Sequence, residues 1–148
     1  MEHYLANILL IEDDDDDIRL FETALEIVSP KSDLFTALSC KEGLAHMKAM
    51  GAALPDVIFI DLILGAIDGI ECIRLIKGSD EHKDIPIVVL STSVNPKTLE
   101  ILYEMGVTYF IKKPTTFNKL QEVIGKMVNT PSIFTAQTKE TFHVQYQE

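Results

Sequence analysis

Three uninterrupted runs of apolar residues constrain the fold of this chain more than any other feature. They read ILLI, VIFI and IVVL. A strand that is apolar on both faces is typical of a parallel sheet with helices on each side, since a half-exposed strand alternates apolar with polar residues. These runs therefore predict interior strands. Two weaker runs complete a set of five candidate strands, at residues 7–11, 34–38, 57–60, 87–90 and 108–111.

Helical patterns fill the intervals between the strands. In the first interval, Ile18, Phe21, Leu25 and Val28 recur at three- and four-residue steps, which predicts an amphipathic helix. Four further helices are marked by their ends: Gly51 after one, Asp68-Gly69 before the next, Asn95-Pro96 and Gly106 around a third, and the stretch 116–128 as the last. Five successive strand–helix units predict one α/β domain with a doubly wound parallel sheet.

Charge and composition exclude several classes of function. The chain has 148 residues and a formal net charge of −10 at pH 7. A field of that sign repels phosphate backbones and anionic lipids, so we expect no nucleic-acid partner and no membrane association. A secretory signal pattern and a bilayer-length apolar segment are both missing, so a cytoplasmic location is expected. Cys40 and Cys72 are expected to be core or boundary residues of two helices rather than a disulfide.

Chemically active side chains follow the predicted strands at the points where these strands end. Glu12 and Asp13 follow the first strand, Asp61 the third and Ser91 the fourth, and the fifth strand leads into Lys112-Lys113-Pro114. Ligands of a doubly wound sheet bind beyond the carboxyl ends of its strands, so these side chains are expected to converge at one edge. Asp61 is the most informative, because it stands between apolar residues where an unpaired carboxylate is costly. It requires a cation or hydrogen-bond donors.

Four motifs carry a resemblance to a known family: ILLIEDD, PDVIFIDLILGAIDG, IPIVVLSTS and YFIKKP, in this order. With them the chain resembles the receiver domains of two-component response regulators, and in particular the chemotaxis response regulator. The resemblance covers about residues 5–128 and leaves residues 129–148 as a C-terminal tail without an effector domain. It implies a flavodoxin-like (βα)5 fold with a central five-stranded parallel sheet in the strand order 2-1-3-4-5.

The resemblance assigns roles to the acidic residues. Asp61 corresponds to the phosphoacceptor. Glu12 and Asp13 correspond to the pair that binds Mg²⁺, with Asp13 as the direct ligand and Glu12 acting through water, and the backbone carbonyl of Ile63 is a further ligand. The remaining acids of the run, residues 14–17, are expected to cap and charge the start of the first helix, where the helix dipole favours negative charge. A shift of one residue in register would make the first of them a ligand.

Three other positions match the switch residues of the family. Ser91 corresponds to the hydroxyl that approaches the phosphoryl group, Lys113 to the lysine that contacts its oxygens, and Phe110 to the aromatic residue that rotates. In this family, phosphorylation repacks the face formed by the fourth and fifth helices and the fifth strand. The bond between Lys113 and Pro114 matches a cis peptide bond of the family. A cis bond is therefore expected here.

The resemblance implies a single-domain response regulator. It would take a phosphoryl group from a histidine kinase or a histidine phosphotransfer protein and bind a downstream protein, as a monomer or as a phosphorylation-dependent homodimer. Catalysis would be limited to its own phosphoryl transfer and dephosphorylation. Two alternatives stay open: a pseudo-receiver that is never phosphorylated, and a haloacid-dehalogenase-like phosphatase in which Asp13 and Asp15 form the D-x-D pair.

The tail has a pattern of its own. Phe142, Val144 and Tyr146 alternate with polar residues, which is typical of a strand. Two interpretations fit this pattern. One is a frayed terminus with local order, and the other is an edge strand or docking segment that is used with a partner.

Overall fold

One parallel sheet covered by helices on both faces forms the body of the protein, as described by a computed structural model over residues 4–51, 53–64, 68–93, 95–130, 134 and 137–146. Within these residues the strands are β1 (Asn7–Ile11), β2 (Asp33–Ala37), β3 (Val57–Asp61), β4 (Ile87–Ser91), β5 (Tyr109–Lys112) and β6 (His143–Val144). The helices are α1 (Asp15–Val28), α2 (Cys40–Met50), α3 (Gly69–Lys77), α4 (Pro96–Glu104), α5 (Phe117–Val128) and α6 (Lys139–Phe142).

The strand order is 2-1-3-4-5-6, and the paired strands are parallel to each other. The predicted doubly wound order 2-1-3-4-5 is therefore confirmed. The predicted number of strands is too low by one, because β6 adds to the outer edge of β5. This strand has only two residues, and its pairing depends on where the tail folds back rather than on a long apolar run. None of the described helices combines the length and the apolar character needed to cross a membrane.

Successive residues of the central strands face two separate cores. Ile8 and Leu10 of β1 pack in the core that holds the apolar sides of α1 and α5. Leu9 and Ile11 pack in the other core, against α2, α3 and α4. All four side chains are at most 3% exposed. The sheet is thus buried on both faces, which explains why the interior positions of the strands that carry the site are apolar.

Polar caps fix where the helices begin. The side chains of the residues that precede five of the helices accept a hydrogen bond from a backbone N–H in the first turn, and these residues are Asp14, Ser39, Asp68, Asn95 and Thr116. The predicted cap at Asn95 is confirmed, and Pro96 occupies the first turn of α4. Each cap satisfies a backbone donor that the helix leaves unpaired. Short capped connections keep the strand ends open at one edge of the sheet.

A disulfide joins the two cysteines. Cys40 opens α2 and Cys72 lies in α3, with 5.6 Å between their Cα atoms. Both are buried, as predicted, but the prediction that they do not pair is wrong. The two helices pack on the same face of the sheet, and this packing brings together residues separated by 32 positions in the chain. A spacing of that length carries no pairing signal in the sequence.

We predict that Gly69→Ala destabilises the fold next to Asp61. A Cβ atom at position 69 would contact the carbonyl oxygen of Asp61 and would lie 2.5 Å from the Cα atom of Leu62. Both neighbours are backbone atoms that cannot rotate away. The free energy of unfolding from urea denaturation should fall by about 2 kcal/mol or more, the cost of an overpacked site.

The matched control is Gly125→Ala in α5. A Cβ atom there meets Val28 at 3.4 Å, an ordinary van der Waals distance. In a helix interior alanine is favoured over glycine by about 0.5–1 kcal/mol, so this variant should be as stable as the unmodified chain or more stable. Equal stability of the two variants would contradict the close backbone approach at position 69.

Candidate functional site

One ammonium group faces three carboxylates at the carboxyl edge of the sheet. Lys113 Nζ donates to Glu12 Oε1, Asp17 Oδ2 and Asp61 Oδ2, each at 2.7 Å. The side chains of Glu12 and Asp61 are 4% and 10% exposed, and that of Asp17 is 39% exposed. Buried ion pairs are stable only when their hydrogen bonds are well formed. When the three acids are ionised, two negative charges remain uncompensated, so the site can attract a further cation.

The register of the strands places these groups together. Ile11 pairs with Ile60, so the next residues along β1 and β3, Glu12 and Asp61, end side by side. On the other flank, Ser91 of β4 pairs with Lys112 of β5. Three of the predicted site residues (Glu12, Asp61 and Lys113) are therefore in direct contact, and Ser91 ends the strand beside them.

Asp61 is held in a defined orientation. Its Oδ2 atom accepts from Lys113, and its Oδ1 atom accepts from the backbone N–H of Ile63 at 3.0 Å. The residue as a whole is 8% exposed. Both oxygens thus have donors, as the sequence argument required for a carboxylate among apolar neighbours. The side chain of Ile63, two residues further along the chain, is 66% exposed and lies at the surface of the protein.

Three carboxylates in this cluster have the chemistry of a hard-cation site. Oxygen atoms of Glu12, Asp17 and Asp61 lie within 4.8 Å of one another. Mg²⁺ prefers a small number of carboxylate ligands together with water, and this set of donors fits that preference. Asp13, the predicted direct ligand, is exposed and is not in this set. The ligand roles of Asp13 and of the Ile63 carbonyl stay predictions.

Asp17 was not among the predicted site residues. Residues 14–17 were predicted to cap and charge the start of the first helix. The capping role is correct for Asp14, whose side chain accepts a hydrogen bond from the backbone N–H of Asp17. A usable signal was present, because Asp17 stands four residues before Phe21 and eight before Leu25, both buried on the inner side of α1. Residues at this spacing share one face of a helix. An acid on the inner stripe of α1 faces the sheet rather than the solvent.

Two of the predicted switch residues, Ser91 and Phe110, are both buried. Ser91 is 2% exposed, and its Oγ atom accepts from the backbone N–H of Ser93 at 3.5 Å. Phe110 is 1% exposed and packs edge-on against the ring of His143, with 5.6 Å between the ring centroids. Their switching roles stay predictions.

The prediction of a cis peptide bond between Lys113 and Pro114 is wrong. The described residues contain no cis peptide bond. A trans bond is the intrinsically favoured form before proline. With the trans bond, Lys113 already reaches all three carboxylates, so the contacts of the ammonium group do not require the cis form.

Burial and charge shift two pKa values in the cluster. Burial raises the pKa of Glu12 to about 7, and the nearby charge of Asp61 adds to this, while the hydrogen bond from Lys113 opposes it. Burial lowers the pKa of Lys113, but the hydrogen bonds with Asp17, Asp61 and Glu12 outweigh burial and raise it above its usual value. Lys113 therefore stays positively charged, and Glu12 takes up a proton more readily than an ordinary glutamate does.

The family model for the response regulator receiver domain matches residues 8–125. Among curated relatives, the response regulator Rcp1 of Synechocystis is 30% identical over 121 residues, which are 79% of this chain and 82% of Rcp1. The CAI-1 autoinducer sensor kinase/phosphatase CqsS of Vibrio cholerae is 33% identical over 121 residues. These are 81% of this chain but only 17% of CqsS, so the chain spans about a sixth of that relative.

Solved structures give the same picture. The phosphorylated cyanobacterial phytochrome response regulator RcpA superposes with a TM-score of 0.75 at 32% identity, covering 82% of this chain and 90% of RcpA. The Mn²⁺-bound form of Rcp1 superposes with a TM-score of 0.73 at 28% identity, covering 82% of this chain and 91% of Rcp1.

We predict that Glu12→Gln changes how stability depends on pH. The pKa of Glu12 is raised from 4.5 to about 7 on folding, so the folded state holds this proton more tightly. The stability that it contributes is complete below about pH 4.5 and is lost as the pH rises through about 7. Glutamine cannot ionise. At pH 8 and without metal, the free energy of unfolding of the variant should therefore exceed that of the unmodified chain by roughly 1–3 kcal/mol.

Urea denaturation between pH 4.5 and 8, with a chelator present, measures this effect. The control is Glu71→Gln, since Glu71 lies exposed on α3 and pairs with Arg74 instead of Lys113. That substitution should leave the pH profile unchanged. A Glu12→Gln variant that is less stable than the unmodified chain at pH 8 would show that the ion pair with Lys113 outweighs the cost of burying the charge.

Proposed function

The chain belongs to the response regulator receiver domain family, and we propose that it accepts a phosphoryl group on Asp61. The donor is a phosphohistidine of a histidine kinase or of a histidine phosphotransfer protein, and Mg²⁺ assists the transfer. Residues 5–128 form the receiver domain in this proposal. The two structural relatives support this proposal, since one is a phosphorylated response regulator and the other is the Mn²⁺-bound form of a response regulator.

The observation that carries the proposal is the position of the Asp61 carboxylate. It ends a buried central strand, is 8% exposed and is held 2.7 Å from a lysine ammonium group. An oxygen of Asp61 forms the new O–P bond while the P–N bond of the phosphohistidine breaks. The electron pair of the broken bond stays on the imidazole nitrogen. The transfer brings two anions together, so the site must supply positive charge.

Lys113 supplies part of that charge. Its ammonium group lies between three carboxylates and can follow an incoming phosphoryl oxygen, because oxygens of either kind are good acceptors for it. A bound Mg²⁺ ion supplies the remaining positive charge and stabilises charge on the phosphoryl oxygens. Glu12 and Asp61, together with Asp17 or Asp13, would hold this ion through carboxylate oxygens.

Ser91 completes the site on the flank of β4. Leu90 pairs with Asp61 across β3 and β4, and Ser91 is the next residue. Its hydroxyl would donate to a phosphoryl oxygen. The phosphorylated chain would then signal by binding a downstream protein, as a monomer or as a homodimer. Such signalling requires that the phosphoryl group interact differently with two conformations of the domain.

The two alternatives differ in their support. The phosphatase interpretation needs Asp13 and Asp15 as a nucleophile pair, but Asp15 is an exposed residue in the first turn of α1, away from the described cluster. No observation favours it. The pseudo-receiver interpretation keeps the fold and removes only the phosphorylation, so a direct assay is required to separate it from the proposal.

We predict that Mg²⁺ and acetyl phosphate modify Asp61. After borohydride trapping of the labile acyl phosphate, peptide mass spectrometry should locate the modification at Asp61, and Asp61→Asn should abolish it. The matched control is Asp56→Asn, because Asp56 precedes the same strand at its opposite end, where its side chain accepts from two backbone N–H groups. Modification at Asp13 would favour the phosphatase interpretation, and no modification together with no beryllofluoride binding would favour the pseudo-receiver.

We predict that Asp17→Asn weakens binding of Mg²⁺ to the unphosphorylated chain. Asp17 contributes a carboxylate to the cluster and also shares Lys113, which competes with a cation for Glu12 and Asp61. Loss of this charge should raise the dissociation constant for Mg²⁺, measured by calorimetry, by about fivefold or more, equivalent to ~1 kcal/mol.

Asp16→Asn is the control for that measurement. It removes the same charge from the same turn of α1, but Asp16 is exposed and pairs with Arg19 instead of Lys113. Its effect on the Mg²⁺ dissociation constant should stay within about twofold, since exposed charges are screened. A similar loss of Mg²⁺ affinity in both variants would show that Asp17 acts only through its contribution to the local negative charge. A loss of Mg²⁺ affinity that occurs only in Asp13→Asn would identify Asp13 as the direct ligand.

A further inference from the structure

The C-terminal strap, defined as residues 138–146, covers the outer edge of β5. We infer that the strap is a removable cover whose docking opposes phosphorylation of Asp61. The inference rests on the proposed function and adds a regulatory element to the same site. It is drawn from the contacts of the strap with β5 and from the peptide unit that the strap shares with the site.

The main apolar contact of the strap is the side chain of Phe142. This ring is 1% exposed and lies in the same core as Leu102 and Phe110. Its centroid is 5.6 Å from that of Tyr103 in α4. Burying a phenylalanine side chain removes a large apolar surface from water, which favours the docked position of the strap. The strap is therefore docked in the unphosphorylated chain rather than loosely attached.

The rest of the attachment is only partly buried: Val144 and Tyr146 pack against the core that holds α1 and α5 but stay partly exposed. Two residues of β6 pair with β5, in the register Phe110 with His143 and Ile111 with Val144. An exposed ion pair joins Lys139 to α4, and such pairs contribute little. Elements with few buried contacts open locally at a free energy well below that of global unfolding. The strap can therefore leave the sheet while the other five strands stay folded.

A single peptide unit links the strap to the site. The carbonyl oxygen of Lys112 accepts a hydrogen bond from the hydroxyl of Tyr146. The N–H of the same peptide unit belongs to Lys113 and donates to the carbonyl oxygen of Ser91 at 2.7 Å. A peptide unit is planar, so its two polar groups move together. Tyr146 thus holds, from the outer edge, the unit from which the Lys113 side chain extends to Asp61.

The direction of the coupling follows from charge. The contacts of the strap exist in the state in which Lys113 Nζ is shared by Glu12, Asp17 and Asp61. A phosphoryl group on Asp61 adds negative charge and new acceptors, so it redirects Lys113 and shifts the peptide unit that Tyr146 holds. Docking of the strap then favours the unphosphorylated arrangement. By thermodynamic linkage, loosening the strap must tighten binding of a phosphoryl group by the same factor by which phosphorylation loosens the strap.

Calorimetric titration of the metal-loaded chain with beryllofluoride, a phosphoryl mimic, tests this coupling. Tyr146→Phe removes only the hydroxyl that reaches Lys112, and Phe142→Ala removes the buried ring. Both should lower the dissociation constant for beryllofluoride by about fivefold or more, the usual lower range of coupling between sites. Phe35→Ala is the control, because Phe35 is a partly buried ring on β2 at the opposite edge of the sheet. It should leave the constant unchanged.

Hydrogen exchange gives the reciprocal measurement. In the unmodified chain, beryllofluoride should reduce the protection of the backbone amides at 143–146. Unchanged dissociation constants in Tyr146→Phe together with unchanged protection would overturn the inference, as would weaker binding in the strap variants. If neither the unmodified chain nor any of the variants binds beryllofluoride, the proposed function itself fails. If binding is normal but insensitive to the strap, the proposed function stands and only the coupling is lost.

Discussion

The contact of Lys113 with three carboxylates is the constraint on which the rest of the site depends. Its ammonium group lets Glu12 and Asp61 occupy adjacent strand ends in a buried setting, where two unpaired negative charges would repel each other and lose hydration. The same contact leaves excess negative charge at the edge of the sheet. The site is thus both stabilised and incomplete, which is a suitable state for binding a divalent cation and then an anionic phosphoryl group.

Much of this site could be predicted from the sequence. Parallel strands with apolar interiors place the polar residues that follow them at a common edge, and this geometry brought Glu12 and Asp61 together with the Lys112-Lys113 pair. The family resemblance then selected Lys113. Asp17 was missed because helix-starting acids are common and the capping role of Asp14 explained the whole run. Its spacing from the buried residues of α1 was the stronger signal. The positions of the buried apolar residues in a helix therefore also indicate which acids of a preceding charged run lie on the buried face.

The remaining errors concern contacts between segments that are distant in the chain. The disulfide of Cys40 and Cys72 depends on how α2 and α3 pack on the sheet, which no local pattern encodes. The sixth strand has the same origin: the alternation in the tail indicated a strand, but its partner follows from the fold. A short segment has too few residues to specify its own position, so its structure is set by the edge on which it lies.

The exposed acids at the start of α1 have a kinetic consequence. Asp13 to Asp16 are exposed just before and in the first turn of α1, the helix that also carries Asp17 of the site, in a chain whose formal charge is −10. Their field extends about one Debye length, roughly 8 Å at physiological ionic strength. Small anionic phosphoryl donors are repelled at that range, whereas a protein donor with a basic rim is drawn in. Added salt therefore speeds encounters with the first kind of donor and slows encounters with the second, so that the acids select donors by encounter rate before any contact is made.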